Sequence, residues 1–134
     1  MTNIITPKSV SALDFTKLDG LVAAVVQDAN TKRVLMVGFM NHAAIVATIE
    51  TGYVVFYSRS RNTLWLKGES SGHRLAVRGI TTDCDRDSLL ISVEVLGPGV
   101  CHEGYESCFV RELRGDEWVV TETQTFQPDD VYAK

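Results

Sequence analysis

At 134 residues, with 45% apolar and 22% charged residues, the chain is long enough for one domain with a substantial core and has ordinary globular composition. A formal net charge of −4 argues against a general nucleic-acid binder, and the longest apolar runs, Leu21–Val26 and Val34–Met40, are too short to cross a bilayer. No basic segment followed by an apolar one opens the chain, so a cytoplasmic setting that keeps thiols reduced is expected.

In chain order, Met1–Lys17 has little periodicity and reads as a mobile arm or edge element. Leu21–Val26 is small and β-branched and reads as a buried strand. Asp28-Ala29-Asn30-Thr31 is a turn, and Arg33–Phe39 completes a hairpin. Asn41 is a candidate N-cap for a short helix whose Ile45, Val46 and Ile49 share a face, and Gly52 stops it. Tyr53–Ser58 and Thr63–Lys67 read as strands around the Arg59–Asn62 turn. Leu75 and Val77 alternate, Ile80 is out of step, and Gly79 marks a candidate bulge. Leu89, Ile91, Val93 and Val95 alternate with Leu90, Ser92 and Glu94, the clearest half-buried strand. Phe109–Leu113 and Glu117–Thr121 read as a last hairpin around Gly115-Asp116, before a polar, loosely held tail from Gln124. The sum is one domain over 1–134, with a core at about 19–123, an arm at 1–18 and a tail at 124–134. It is mainly antiparallel β with one helix packed on it, an α+β arrangement.

Three cysteines, Cys84, Cys101 and Cys108, cannot all pair within one monomer. Three thiolates with one position left for water make a catalytic zinc shell. Free cysteines that simply pack, and a Cys101–Cys108 disulfide, are the plainer alternatives. A second feature is local charge. Ser58–Arg74 carries Arg59, Arg61, Lys67 and Arg74 against Glu69 alone, a charge of +3 inside an acidic protein. With Ser58, Ser60, Ser70, Ser71 and Gly72, this stretch has what a phosphate pocket needs. A solvated surface is the competing reading.

If Asp83–Asp87 is extended, Asp83, Asp85 and Asp87 project to one side, and converging carboxylates call for a hard cation such as Mg²⁺. An EF-hand fails, because Ser88 replaces the loop glycine and the flank is strand-like. A zinc nucleobase deaminase fails, because its His-x-Glu and Pro-Cys-x-x-Cys spacings are absent. Cys101 and His102 are adjacent and would point apart on a strand, so His102 reads better as an acid–base or orienting group than as the partner of a nucleophile.

Five segments follow one another in order: Asp19-Gly20-Leu21, Tyr57-Ser58-Arg59-Ser60-Arg61, Trp65-Leu66-Lys67-Gly68-Glu69-Ser70-Ser71-Gly72, Asp83-Cys84-Asp85-Arg86-Asp87 and Cys101-His102-Glu103-Gly104-Tyr105-Glu106-Ser107-Cys108-Phe109. From about Asp19 to Phe109 the chain closely resembles the phosphoribosyl-AMP cyclohydrolases of histidine biosynthesis. It departs from them at Phe56, where tryptophan is frequent, at Leu66, where a basic residue is frequent, and by one extra residue between Pro98 and Cys101. No pyrophosphohydrolase segment follows Phe109, so the single-function form is expected.

The resemblance implies a helix-capped β pseudo-barrel paired into an intertwined homodimer. It implies one zinc per subunit, held by Cys84 of one chain and Cys101 and Cys108 of the other, and Mg²⁺ at Asp83, Asp85 and Asp87. The implied reaction is hydrolysis of the N1–C6 bond of 1-(5-phosphoribosyl)-AMP, with water activated by zinc and N1 receiving a proton. His102, and less directly His73, are the implied proton-handling groups. Ser58, Arg59, Ser60, Arg61, Lys67 and Ser71 are the expected phosphate ligands, with Trp65 stacking or packing. No nucleic-acid polymer or membrane partner is expected. A non-catalytic, zinc-stabilised dimerisation module is the competing class; it leaves the basic segment and the three aspartates without a use.

Overall fold

The computed structural model describes residues 7–132. A short helix α1 (Pro7–Ser11) leads to strands β1 (Val22–Asp28) and β2 (Val34–Met40), then helix α2 (His42–Thr51). Strands β3 (Val55–Ser58), β4 (Thr63–Leu66), β5 (Arg74–Thr82), β6 (Ser88–Leu96), β7 (Arg111–Arg114) and β8 (Glu117–Val120) follow, with a final helix α3 (Pro128–Tyr132).

The largest sheet has the order β2-β1-β6-β5, and β3-β4 and β7-β8 form separate two-stranded ladders. Antiparallel pairing holds for β1–β2, β3–β4, β5–β6 and β7–β8. It fails at the centre of the sheet, where β1 and β6 run parallel from Ala23↔Ser88 to Asp28↔Val93. None of the three sheets closes on itself, so the described residues of one chain form no complete barrel. The hairpin β3–β4 is stitched beside β5 by the Val54 amide, which donates to Leu75 O (3.1 Å), and by a bridge between Tyr53 and Ala76.

Alternation decides which faces meet. Val22, Ala24 and Val26 of β1 and Leu89, Ile91 and Val93 of β6 are buried together with Leu35, Met40 and Leu75. The expected bulge is present, with the register slipping between Val77 and Gly79. Phe56 packs on β2 at Gly38, where an added Cβ would lie 2.5 Å from its ring, so a larger residue there would displace the buried ring. Asn41 caps α2 by accepting the Ala44 amide (2.8 Å), and Gly52 ends it at φ 79°. The buried stripe of α2 is Ala44, Ile45 and Thr48, with Val46 and Ile49 only partly covered, one position off the expected apolar face. Thr48 is tolerated inside because its hydroxyl donates to Ala44 O (2.8 Å) and accepts the Val55 amide (2.9 Å).

Both ends are more tightly held than their composition suggests. Met1–Thr6 lie outside the described residues, but Val10 is 1% exposed, Leu13 and Phe15 pack on the core, and the Asp14 amide donates to Arg86 O (2.7 Å). In the tail, Thr125 donates its amide to Gly104 O and its hydroxyl to Pro98 O, both at 2.8 Å. Phe126 meets the His73 ring edge-on at 4.9 Å. Among the described residues no helix is long and apolar enough to cross a membrane.

Candidate functional site

The loop after β6 folds back on itself. Val100 donates its amide to Glu106 O, and Cys101 to Tyr105 O, both at 3.1 Å. Gly99 makes this possible, since a Cβ there would sit 2.4 Å from Tyr105 O. The loop is pinned to β2 by Ser107 Oγ, which donates to Val34 O (2.9 Å), and by the Cys108 amide, which donates to Leu35 O (2.7 Å). This brings Cys101 and Cys108 together: Cys101 is buried, Cys108 is exposed as a residue, and the two sulfurs interact. Desolvation, then the neighbouring Cys101, push the Cys108 thiol up to about 11. Two adjoining thiols cannot both ionise cheaply unless a cation joins them.

His102 is exposed and lines a cleft of about 240 Å³ with Trp65, Lys67, Glu69 and Ser71. His73 sits elsewhere, with Nδ1 3.1 Å from Gly99 O and its ring against Phe126, so it braces the approach to the thiol loop. Lys67, expected as a phosphate ligand, is 8% exposed and donates from Nζ to Val100 O (2.7 Å). Burial holds its ammonium below the usual lysine value, and the influence of Cys108 and Cys101 offsets only part of this. Trp65 packs on Phe56 with ring centroids 5.4 Å apart, and Ser71 Oγ accepts the His73 amide (3.0 Å).

The acidic loop joins β5 to β6. It is a turn rather than an extended segment, closed by Arg86 donating its amide to Asp83 O (3.1 Å) with φ 62° at Arg86. Asp83 Oδ1 accepts the amides of Asp87 (3.0 Å) and Ser88 (3.1 Å). Desolvation pushes Asp83 up, but hydrogen bonds from Ser88, Asp87 and Asp85 outweigh it and hold the carboxyl below its usual range. The turn still gathers the acids: one carboxylate oxygen each of Asp83, Asp85 and Asp87 lie within 4.8 Å of one another. Lys17, which carries no motif, caps the group with Nζ at 2.8 Å from Asp85 and 2.9 Å from Asp87. These carboxylates push its ammonium well above the ordinary lysine value. Cys84 is exposed on the same turn, and within one chain it does not gather with Cys101 and Cys108.

The basic turn lies at a third place. Ser58 and Ser60 hydroxyls are 3.3 Å apart, and Ser58 Oγ accepts the Arg61 amide at 3.3 Å. The Arg59 guanidinium stacks 4.2 Å over the Phe39 ring. It borders a cavity of about 510 Å³ together with Asp19, Gly20, Asn41, Tyr57 and Asn62. Tyr57 and Asn62 are held by a 3.1 Å hydrogen bond. Asn41 was legible as a helix cap, but nothing in its spacing marks it as a cavity wall.

Comparison with known proteins identifies the family. Residues 36–110 match the family model described as phosphoribosyl-AMP cyclohydrolase. A phosphoribosyl-AMP cyclohydrolase of Solibacter usitatus is 62% identical over 120 residues, covering 90% of this chain and 95% of that protein. The Methanosarcina barkeri protein of the same name is 50% identical over 123 residues (90% and 92%), and that of Nitrosomonas europaea 49% over 116 residues (87% and 90%). With agreement across nearly the full length of both partners, the chain belongs to the phosphoribosyl-AMP cyclohydrolase family.

Proposed function

We propose that this protein hydrolyses the N1–C6 bond of 1-(5-phosphoribosyl)-AMP, yielding the ring-opened phosphoribosylformimino carboxamide nucleotide, a step of L-histidine biosynthesis. The observation that carries the reading is the 62% identity to a phosphoribosyl-AMP cyclohydrolase over nine-tenths of the chain. The local chemistry supports it.

The donor sets fit two different cations. Cys101 and Cys108 offer a pair of soft sulfur donors, and Cys84 from a second copy would complete a three-thiolate zinc site. Asp83, Asp85 and Asp87 offer hard oxygens suited to Mg²⁺. Zinc, when bound in such a site, supplies a water whose proton is lost near neutral pH. A homodimer is further supported by the β7–β8 hairpin, where Leu113 and Trp118 are 55% and 66% exposed next to the thiol loop. The dimer would also complete what the open sheets of one chain leave unfinished, including the pseudo-barrel. Free thiols favour the cytoplasm.

The chain's own groups take the remaining tasks. His102, at the rim of the cleft beside the thiols, delivers the proton that N1 needs as its bond to C6 breaks. His73, engaged by Gly99 O, orients the loop. Arg59 and Arg61, with Ser58, Ser60 and Ser71, hold the phosphates. The stacked Arg59 is partly pre-ordered for this.

The test is to mix purified, zinc-loaded protein with phosphoribosyl-AMP and follow the ultraviolet spectrum. Ring opening at a rate that scales with protein supports the reading. Stoichiometric zinc with no spectral change overturns it in favour of a zinc-stabilised dimerisation module.

A further inference from the structure

We propose that Lys67 is a positioning residue for the Cys101–Cys108 loop: its buried ammonium fixes the Val100 carbonyl, one residue before Cys101. The inference rests on the zinc reading above and goes beyond it by naming what holds the thiolates.

Lysine is almost never fully buried unless paired. Lys67 is 8% exposed, and no ion pair among the described residues includes it. Its Nζ donates to Val100 O at 2.7 Å and lies 5.6 Å from the Trp65 ring centroid. Its partner Val100 is the residue before Cys101, so the ammonium is tied one residue from a thiol. A buried ammonium with no ion-pair partner among the described residues is therefore anchored to the backbone of the thiol loop.

Its own backbone is fixed. The Lys67 amide donates to Val54 O (3.1 Å), and Gly68 follows at φ 87°, packed so closely on His73 that a Cβ would lie 2.5 Å from its carbonyl. The side chain thus reaches from a rigid strand end to the residue before Cys101. Val100 is held at both ends of its peptide units, by Glu106 O at the amide and by Lys67 at the carbonyl.

The charge has a purpose. Three thiolates around one divalent zinc leave a net negative charge in a partly dry site, and an adjacent ammonium offsets it. Phosphate binding is the competing role for a lysine in a basic segment. Lys67 does border the cleft of Ser71 and His102, but its ammonium is already engaged by Val100 O, whereas Arg59 and Arg61 are exposed.

The test measures zinc affinity on full-length protein stripped and reloaded with zinc, by competition with a chromophoric chelator. Lys67→Met should weaken zinc by roughly ten- to a hundred-fold, the usual loss when an outer partner of a metal ligand is removed. Lys67→Arg should restore most of it. With both proteins saturated with zinc, Lys67→Met should leave KM for phosphoribosyl-AMP within about twofold of wild type, since uniform substrate binding is untouched. Should Lys67→Met fail to fold by circular dichroism, Lys67→Gln, which keeps a donor but not the charge, carries the same measurement. Wild-type zinc affinity in a folded Lys67→Met or Lys67→Gln protein overturns the inference, and a raised KM with unchanged zinc affinity assigns Lys67 to phosphate instead. Wild-type protein that binds no zinc overturns the zinc reading itself, and this inference with it.

Discussion

The acidic turn gathers carboxylates and the thiol loop gathers sulfurs, and each has a lysine bonded to it, yet they are opposite environments. Lys17 and Asp85 remain about half exposed, with side-chain exposures of 47% and 56%. Lys67 is almost fully covered. In water an ion pair is screened and exchanges readily, so its net worth is small. Under cover the same charge has few competitors and must be matched where it stands. On the proposed reading the carboxylates would take a hard, exchangeable cation in place of Lys17, and the thiols a soft cation that stays.

The largest expected effect comes from removing a thiol. Cys84→Ser, Cys101→Ser and Cys108→Ser should each abolish turnover, a loss beyond the roughly 10–100-fold cost of losing an outer partner, because a three-thiolate shell has no spare ligand. Full activity in any one of them breaks the contrast at its soft end.

Asp85→Asn probes the hard end. It should lower kcat/KM by roughly ten- to a hundred-fold while zinc content by elemental analysis stays at the wild-type level, since carboxylates select Mg²⁺ and thiolates zinc. Loss of zinc from this variant would merge the two sites.

Arg61→Ala removes a charge that neither site uses. Losing one charge-assisted phosphate contact should cost about 1.5–3 kcal/mol, or roughly ten- to a hundred-fold in kcat/KM, expressed chiefly in KM. Raising the ionic strength should weaken wild-type binding more than that of the variant. If Arg59→Ala and Arg61→Ala both keep wild-type kcat/KM at low salt, the Ser58–Arg61 turn is only a solvated surface.

The smallest effect belongs to Lys17. Lys17→Met should raise Mg²⁺ affinity by no more than about fivefold, the worth of a screened surface pair, and leave zinc affinity unchanged. Weaker Mg²⁺ binding in this variant, read by isothermal titration, would show that Lys17 does not compete for the carboxylates.

What the sequence revealed was local. Asn41 and Gly52 set the ends of α2, and Gly79 marked the bulge, because capping and bulging depend on the residues at hand. The parallel contact of β1 with β6 was not legible, since alternation tells a strand which side to bury but not which neighbour to take. The aspartates were expected to converge because an extended strand repeats every second residue. They do converge, but through a turn that Asp83 closes with its own side chain. Lys67 read as one more member of a basic run. Its backbone and ammonium are instead fixed by bonds to Val54 O and Val100 O, which lie away from it in sequence. The ends read as loose because their anchors are distant, Arg86 for the arm and Gly104 for the tail.

The most direct test of the central claim, a zinc site built from thiols of two copies, is complementation between two dead variants. Cys84→Ser and Cys101→Ser chains are unfolded together, refolded with zinc, and assayed for ring opening. Random pairing in a two-fold symmetric dimer restores about a quarter of the sites, one in each mixed dimer, so about a quarter of wild-type activity should return. A mixture that stays as inactive as either parent, although mixed dimers form, would contradict the shared site.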